Sequence, residues 1–274
     1  MTVCSPSNPS EPSAPGHAER SPKSEQPCLE VEHLGQIDRV RLNRPERLNA
    51  LNQTLAEALL GYFESRRRDD TVRVILVCGA GRGFCAGLDL KAMGQPDALR
   101  DGPRGDWVLR DLVKAMRACP QPLVALVNGV AAGGGLALTL AADIIVAAEA
   151  ATFRSAFIEV GLSGSELGVS WRLQRAIGVS KAREMLLTGR PLSSLEAHRL
   201  GLISDRTTAD ALDDHGLAIA QDMLRAQPDA LRLSKRSFDA ALDSTSFDTA
   251  LEMEERAQML MISRHGMRNL FDPE

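Results

Sequence analysis

The stretch Leu123-Val-Ala-Leu-Val-Asn-Gly-Val-Ala-Ala-Gly-Gly-Gly-Leu136 decides how this chain folds. Its first five residues are apolar without alternation, the pattern of a parallel strand covered on both faces. The glycines that follow let the backbone turn sharply and let its N–H groups come close to a ligand. A short helix predicted over 136–142 starts at that turn and adds unpaired N–H groups and the positive end of its dipole. A second unit of this kind lies upstream, where the β-branched run 72–77 leads into Gly79-Ala-Gly-Arg-Gly-Phe-Cys-Ala-Gly-Leu-Asp-Leu90. Two glycine turns at the ends of neighbouring strands can aim two N–H donors at one oxygen, which is the geometry of an oxyanion hole.

The flanking sequence fits an α/β core. Residues 29–33 and 37–42 alternate apolar and polar side chains around Gly35, predicting a hairpin. Asn49 or Asn52 can cap a helix running to about Arg68, with Leu55, Leu59, Leu60 and Phe63 on one face. A further helix ends near Ala118, before Cys119-Pro120, and residues 144–148 form another buried strand. Repeated strand–turn–helix units imply crossover connections. Residues 94–105 read as a mobile loop that shapes a ligand pocket. From Gly168 onward the pattern is mostly helical, and helices over 230–242 and 247–263 have apolar residues enough to pack on a partner subunit.

Composition excludes several functions. The 274 residues carry a formal net charge of -4 and only 4% aromatics, which argues against a basic nucleic-acid face or base-stacking platforms. The five cysteines include no C-x-x-C pair and the five histidines no H-E-x-x-H, so neither a disulfide framework nor a metal site is expected. Residues 1–27 are rich in Ser and Pro, lack the apolar centre of a signal peptide, and read as a disordered tail. The longest nearly apolar stretch, 129–142, has 14 residues where a membrane span needs about 20. A soluble, cytoplasmic protein without membrane or nucleic-acid partners is the expectation.

Other glycine-rich chemistries fit poorly. Gly79-x-Gly81-x-Gly83 lacks the dinucleotide-binding spacing, and there is no G-x-x-x-x-G-K-[ST] loop. Gly161-Leu-Ser163-Gly-Ser165 fails the G-x-S-x-G elbow at its last position. Cys85, beside a strand, reads as a packed residue and not as a nucleophile.

Three segments, Leu42-Asn-Arg-Pro-Glu-Arg-Leu-Asn-Ala-Leu-Asn52, Gly83-Phe-Cys-Ala-Gly-Leu-Asp-Leu90 and Asn128-Gly-Val-Ala-Ala-Gly-Gly-Gly135, resemble the crotonase superfamily, the enoyl-CoA hydratase/isomerase family, in residues, order and spacing. Ala141-Ala-Asp-Ile144 fits as well, and the resemblance runs from about Leu29 to the C-terminus. It implies an α/β spiral of ββα units over 28–208, a C-terminal helical region over 209–274 that completes a homotrimer or a dimer of trimers, and an acyl-CoA thioester as ligand. It also implies an oxyanion hole made by the N–H groups of Leu88 and Gly134, which would hold the enolate oxygen of the thioester. No cofactor is implied, because coenzyme A belongs to the substrate. Arg47, Leu48, Ala50 and Ala86 match positions that flank the CoA moiety. Asp89, Leu90, Phe157 and Leu162 complete the candidate substrate-contacting set, although the Asp89 carboxylate, like that of Asp143, also reads as a structural cap. Arg47, Arg82 and Lys235 are candidate partners for the CoA phosphates.

The departures from the family pattern bear on the reaction. The two hydratase glutamates are replaced by Ala137 and Phe157, and neither can activate water or deliver a proton. Two acids remain near by. Glu166 resembles the acidic position of some family isomerases once one extra residue in 161–168 is allowed for, and Glu159 resembles a position acidic in dienoyl-CoA isomerases. One carboxylate suffices to move a proton between carbons, and burial beside Phe157 and Leu162 would raise its pKa. The expected activity is therefore double-bond isomerisation with Glu166 as the proton shuttle. A hydratase using Glu159 with Glu166, and a silent acyl-CoA-binding protein, are the alternatives. Without the family, Glu159 reads as a surface acid and Glu166 as a carboxylate at a helix N-terminus.

Overall fold

A computed structural model describes residues 26–91 and 105–266. The tail call falls almost wholly, and the 94–105 loop call largely, outside these residues. The hairpin forms as expected, with strands β1 (Leu29–Leu34) and β2 (Ile37–Leu42) turning at Gly35, whose φ is +66°. Helix α1 (Gln53–Arg66) is capped by Asn52, whose side chain accepts the Leu55 N–H at 3.0 Å. Then come β3 (Val74–Gly79), α2 (Gly105–Ala118), β4 (Leu123–Val127), β5 (Val130–Ala132), α3 (Gly134–Ala141), β6 (Ile144–Ala148) and β7 (Thr152–Arg154). The C-terminal part contains α4 (Val169–Ile177), α5 (Val179–Thr188), β8 (Leu192–Ser193), α6 (Ser194–Arg199), β9 (Asp205–Thr207), α7 (Leu212–Leu224), α8 (Pro228–Asp243) and α9 (Phe247–His265).

Six strands form one sheet in the order β1-β2-β3-β4-β6-β9, antiparallel only between β1 and β2. The continuous apolar runs of β3 and β4 follow from burial on both faces. Ile75 and Val77 point into a core shared with Leu59, Phe63 and Leu112, whereas Leu76 and Cys78 point the other way into a core with Leu212 and Ala220. Because α7 packs on β3, β4 and β6, residues 212–224 belong to the core layers and not to a separate helical region starting at 209. That corrects the expected boundary. Only α8 and α9 stand apart as a helical pair.

The second sheet, β5-β7-β8, was not anticipated, nor was β9 within the region expected to be helical. These strands have three, three, two and three residues. That is too short for a period of two to show. Their position matters more than their size, since β5 leads directly into α3 and β7 leads into the segment bearing Phe157, Glu159 and Glu166.

Candidate active site

The site is built from main chain. Residues 85–89 run between the 44–51 segment and β5, bonded alternately to each. Cys85 donates its N–H to Val130 O at 3.0 Å and accepts the Ala132 N–H at 2.9 Å. Ala86 donates to Leu48 O at 2.9 Å, and Gly87 accepts the Leu51 N–H at 2.7 Å. In a planar trans peptide the C=O and the following N–H point in opposite directions. The Gly87 carbonyl faces Leu51, so the Leu88 N–H faces the opposite side. The same reasoning applies at the start of α3. The Gly133 carbonyl accepts the Ala137 N–H at 3.1 Å and points along the helix, so the Gly134 N–H projects out of its N-terminus.

Neither the Leu88 nor the Gly134 N–H has a hydrogen-bond partner among the described residues. The two peptides are also neighbours. A Cβ built on Gly87 would lie 3.3 Å from the Gly134 nitrogen, and one built on Gly134 would lie 4.0 Å from the Gly87 carbonyl carbon. Gly87 adopts φ +92° and also passes close to the Ala132 carbonyl, so only glycine serves there. The arrangement supplies two free donors and the positive end of α3 to one oxygen that gains negative charge.

A clamp that sequence reasoning did not single out holds these peptides. The Arg44 guanidinium bonds the Ala50 carbonyl and pairs with Asp89 Oδ2 at 2.8 Å. Asn49 is fully buried with φ +56°. Its amide donates to Ala80 O at 2.9 Å and Gly83 O at 2.8 Å, while its Oδ1 accepts the Arg44 N–H at 2.9 Å. The tolerance of Asn for the left-handed region was the one signal in the sequence that Asn49 did more than cap a helix.

The remaining candidates fall in three groups. Leu48 and Ala86 line the backbone ladder and are partly buried, and Ala50 is buried beneath it. Arg47 and Arg82 are exposed and without an ion pair among the described residues. Ala137 and Phe157 are buried and present only apolar surface. The Phe157 ring lies 3.7 Å from a Cβ built on Gly133, beside the start of α3.

Further candidates have surroundings that bear on their roles. Asp89 is buried against Arg44 and does not present its carboxylate to a ligand, which fits its structural reading. Lys235 is buried too, donating to Asp143 Oδ2 at 2.8 Å and to the Gln121 carbonyl at 3.0 Å, so it does not reach for phosphates. Leu162 is 48% exposed and builds no apolar wall among the described residues; Leu90 is likewise exposed. Glu159 is exposed and paired with Arg154, whose Nε donates to the Gly189 carbonyl at 3.0 Å, the environment of a surface acid. Glu166 is partly buried just before α4, two residues ahead of Gly168 at that helix's N-cap. Its loop is tied back by the Ser155 hydroxyl, which donates to the Gly164 carbonyl at 2.7 Å. Among the described residues there is no metal-ligand cluster and no helix able to cross a membrane.

A family model described as enoyl-CoA hydratase/isomerase matches residues 32–269. The chain belongs to that family. It is 40% identical over 238 residues to a probable enoyl-CoA hydratase of Mycobacterium tuberculosis, covering 84% of each chain. It is 36% identical over 225 residues to the 1,2-epoxyphenylacetyl-CoA isomerase of Escherichia coli, covering 80% of this chain and 84% of that one. A monofunctional enoyl-CoA isomerase from Mycobacterium smegmatis superposes with a TM-score of 0.71 at 36% identity, over 82% of this chain and 99% of the other. The protein is thus an enzyme of the enoyl-CoA hydratase/isomerase family with the fold of its solved members.

Proposed function

We propose that this enzyme isomerises the double bond of an enoyl-CoA thioester. The thioester oxygen sits between the N–H groups of Leu88 and Gly134, and Glu166 carries the proton between carbons. The observation that carries the reading is the pairing of two unpartnered, adjacent donors with apolar residues at both hydratase acid positions. Removing an α- or γ-proton puts negative charge on the thioester oxygen, and the two amides hold it as a dienolate. Each such donor is worth about 3–4 kcal/mol. Water addition would need a second acid or base. Glu159 is committed to Arg154, so the hydratase reading built on Glu159 with Glu166 has less support. The name of one solved relative, a monofunctional enoyl-CoA isomerase, agrees with double-bond isomerisation. Arg47 and Arg82, exposed and without ion pairs among the described residues, are offered to the CoA phosphates. Assembly as a trimer, or as paired trimers, is supported by the exposed Phe238, Phe247 and Met259 on α8 and α9.

The test is Glu166→Gln, assayed with 3-enoyl-CoA and 2-enoyl-CoA esters. Isomerisation of the 3-enoyl ester creates the absorbance of the conjugated thioester, and hydration of the 2-enoyl ester consumes it. The wild type should convert the 3-enoyl ester, and the variant should lose about 100-fold or more in turnover while still binding acyl-CoA. Hydration of the 2-enoyl ester by the wild type, with no isomerisation, would overturn the proposal. A wild type that binds acyl-CoA but turns over neither ester would identify a silent binder instead.

A further inference from the structure

The far end of α3 from the free amides opens into a second cleft, lined by Leu140, Asp143, Arg172, Arg175, Ser204 and Leu242 among others, with a volume of about 340 Å³. At 1.5 Å per residue, the eight residues of α3 place it roughly 12 Å from Gly134. Its charges do not balance. Arg117 and Arg175 stack on Trp171, with their guanidinium carbons at 5.5 and 4.2 Å from the ring centroid, and Arg172 lies within reach of the Arg117 charge. Arg117 is neutralised by Asp239 at 2.6 Å, and Asp143, the only carboxylate lining the cleft among the described residues, is taken by Lys235 at 2.8 Å. Arg172 and Arg175 are left. Arg175 donates to the Trp171 carbonyl at 3.0 Å and makes no ion pair among the described residues. Arg172 is half-buried, and its side chain has no hydrogen bond or ion pair among the described residues.

Leaving a guanidinium there is costly. Burial, and then the like charge of Arg117, lower the Arg172 pKa, and the charges of Asp143 and Asp239, each paired with another cation, oppose that only in part. The carbonyl end of α3 offsets at most about half a charge, against two unpaired guanidinium groups. Two planar forks facing one cleft match the oxygens of a compact oxyanion, which each can bond bidentately.

We propose that this cleft is a binding site for a small oxyanion, phosphate or carboxylate in character, held by Arg172 and Arg175 and separate from the thioester site. Inorganic phosphate is the probe. Calorimetric titration of the full-length protein at constant ionic strength should show saturable binding, and Arg172→Gln should weaken it at least tenfold. Without phosphate, Arg172→Gln should melt at or above the wild-type temperature, because it relieves repulsion from Arg117; a merely structural arginine would melt lower when removed. If that variant does not fold, Arg175→Gln should weaken the phosphate titration in its place. No saturable heat in the wild type would overturn the proposal. So would competition between free coenzyme A and phosphate, because the arginines would then serve the thioester substrate. A smaller particle mass for Arg172→Gln by light scattering, with a wild type indifferent to phosphate, would also overturn it. The counter-ion would in that case be a carboxylate of a second copy.

Discussion

The Lys235–Asp143 pair is the most deeply buried of the ion pairs that fasten α8 to the core, beside Asp239–Arg117 and Arg232–Asp70, and its removal has a calculable effect. The Lys235 ammonium is 5% exposed and bonds Asp143 Oδ2 at 2.8 Å and the Gln121 carbonyl at 3.0 Å. The Asp143 side chain is 24% exposed, and the same oxygen accepts the Leu123 N–H at 2.7 Å, at the start of β4. Lys235→Met keeps the apolar stem but strands a mostly buried carboxylate. Breaking a buried pair from one side costs about 3–5 kcal/mol. The residual exposure of Asp143 and its remaining bond from Leu123 place this case near the lower figure. We expect a loss of about 3 kcal/mol, or a fall in Tm of about 6–12 °C for a chain of this size.

The assay is urea unfolding followed by far-UV circular dichroism, at one fixed protein concentration because assembly would add to apparent stability. A second substitution isolates the cause. Adding Asp143→Asn to Lys235→Met removes the stranded charge but leaves an oxygen for the Leu123 N–H, so the double variant should regain about half of the loss. A single variant within about 1 kcal/mol of wild type would refute the reasoning, since that is the scale of a surface pair. A double variant no more stable than the single would refute it as well.

Other expectations follow from the site. Gly134→Ala should fold, because its Cβ would press at 3.0 Å on the movable Leu51 Cδ1, but the crowded amides should lower turnover by about 100-fold. Gly135→Ala should fail to give soluble protein, because its Cβ would overlap the Cys85 carbonyl, which is fixed by its bond from the Ala132 N–H at 2.9 Å. Asn49→Asp keeps the acceptor for Arg44 but turns two donated bonds into carboxylate–carbonyl repulsion, so it should lose about 3 kcal/mol or more in the same unfolding assay. Burial pushes the Cys85 thiol up to about 12, and burial also raises Cys78 and Cys119. Unfolded thiols ionise near about 8.5, so stability should be level below that pH and fall above it, by up to about 1.4 kcal/mol per pH unit for each thiol. Urea midpoints at pH 8 and pH 10 measure the slope, which Cys85→Ala should reduce.

The legible part of this protein was the part in which one local cause acts alone. Leu123–Val127 was readable because burial on both faces leaves no room for polar alternation. The turn at Gly87 was readable because its positive φ and its close approach to the Ala132 carbonyl admit only glycine. The hidden part depends on partners far apart in sequence. Arg44 and Asp89 are 45 residues apart, and Lys235 and Gln121 are 114 apart, so their burial has no local periodicity. Glu159 shows the same dependence: its place in the chain left chemistry and a surface role both open, and its partners are Arg154, five residues before it, and the turn at Gly189.

The same division separates what the scaffold fixes from what decides the reaction. The two donors are main-chain groups set by trans peptides, by α3 and by the Arg44–Asn49 clamp, so side-chain changes at Leu88 leave them in place. The side chains of Ala137, on α3, and of Phe157, just after β7, are buried and apolar and supply no acid. On the proposed function, a scaffold of this kind holds the enolate through its main chain while side chains choose which proton moves. On that proposal the loop from Gly161 to Gly168, tied back by Ser155 and by the Leu162 bond to Phe157, carries the side chain that selects the proton to be moved.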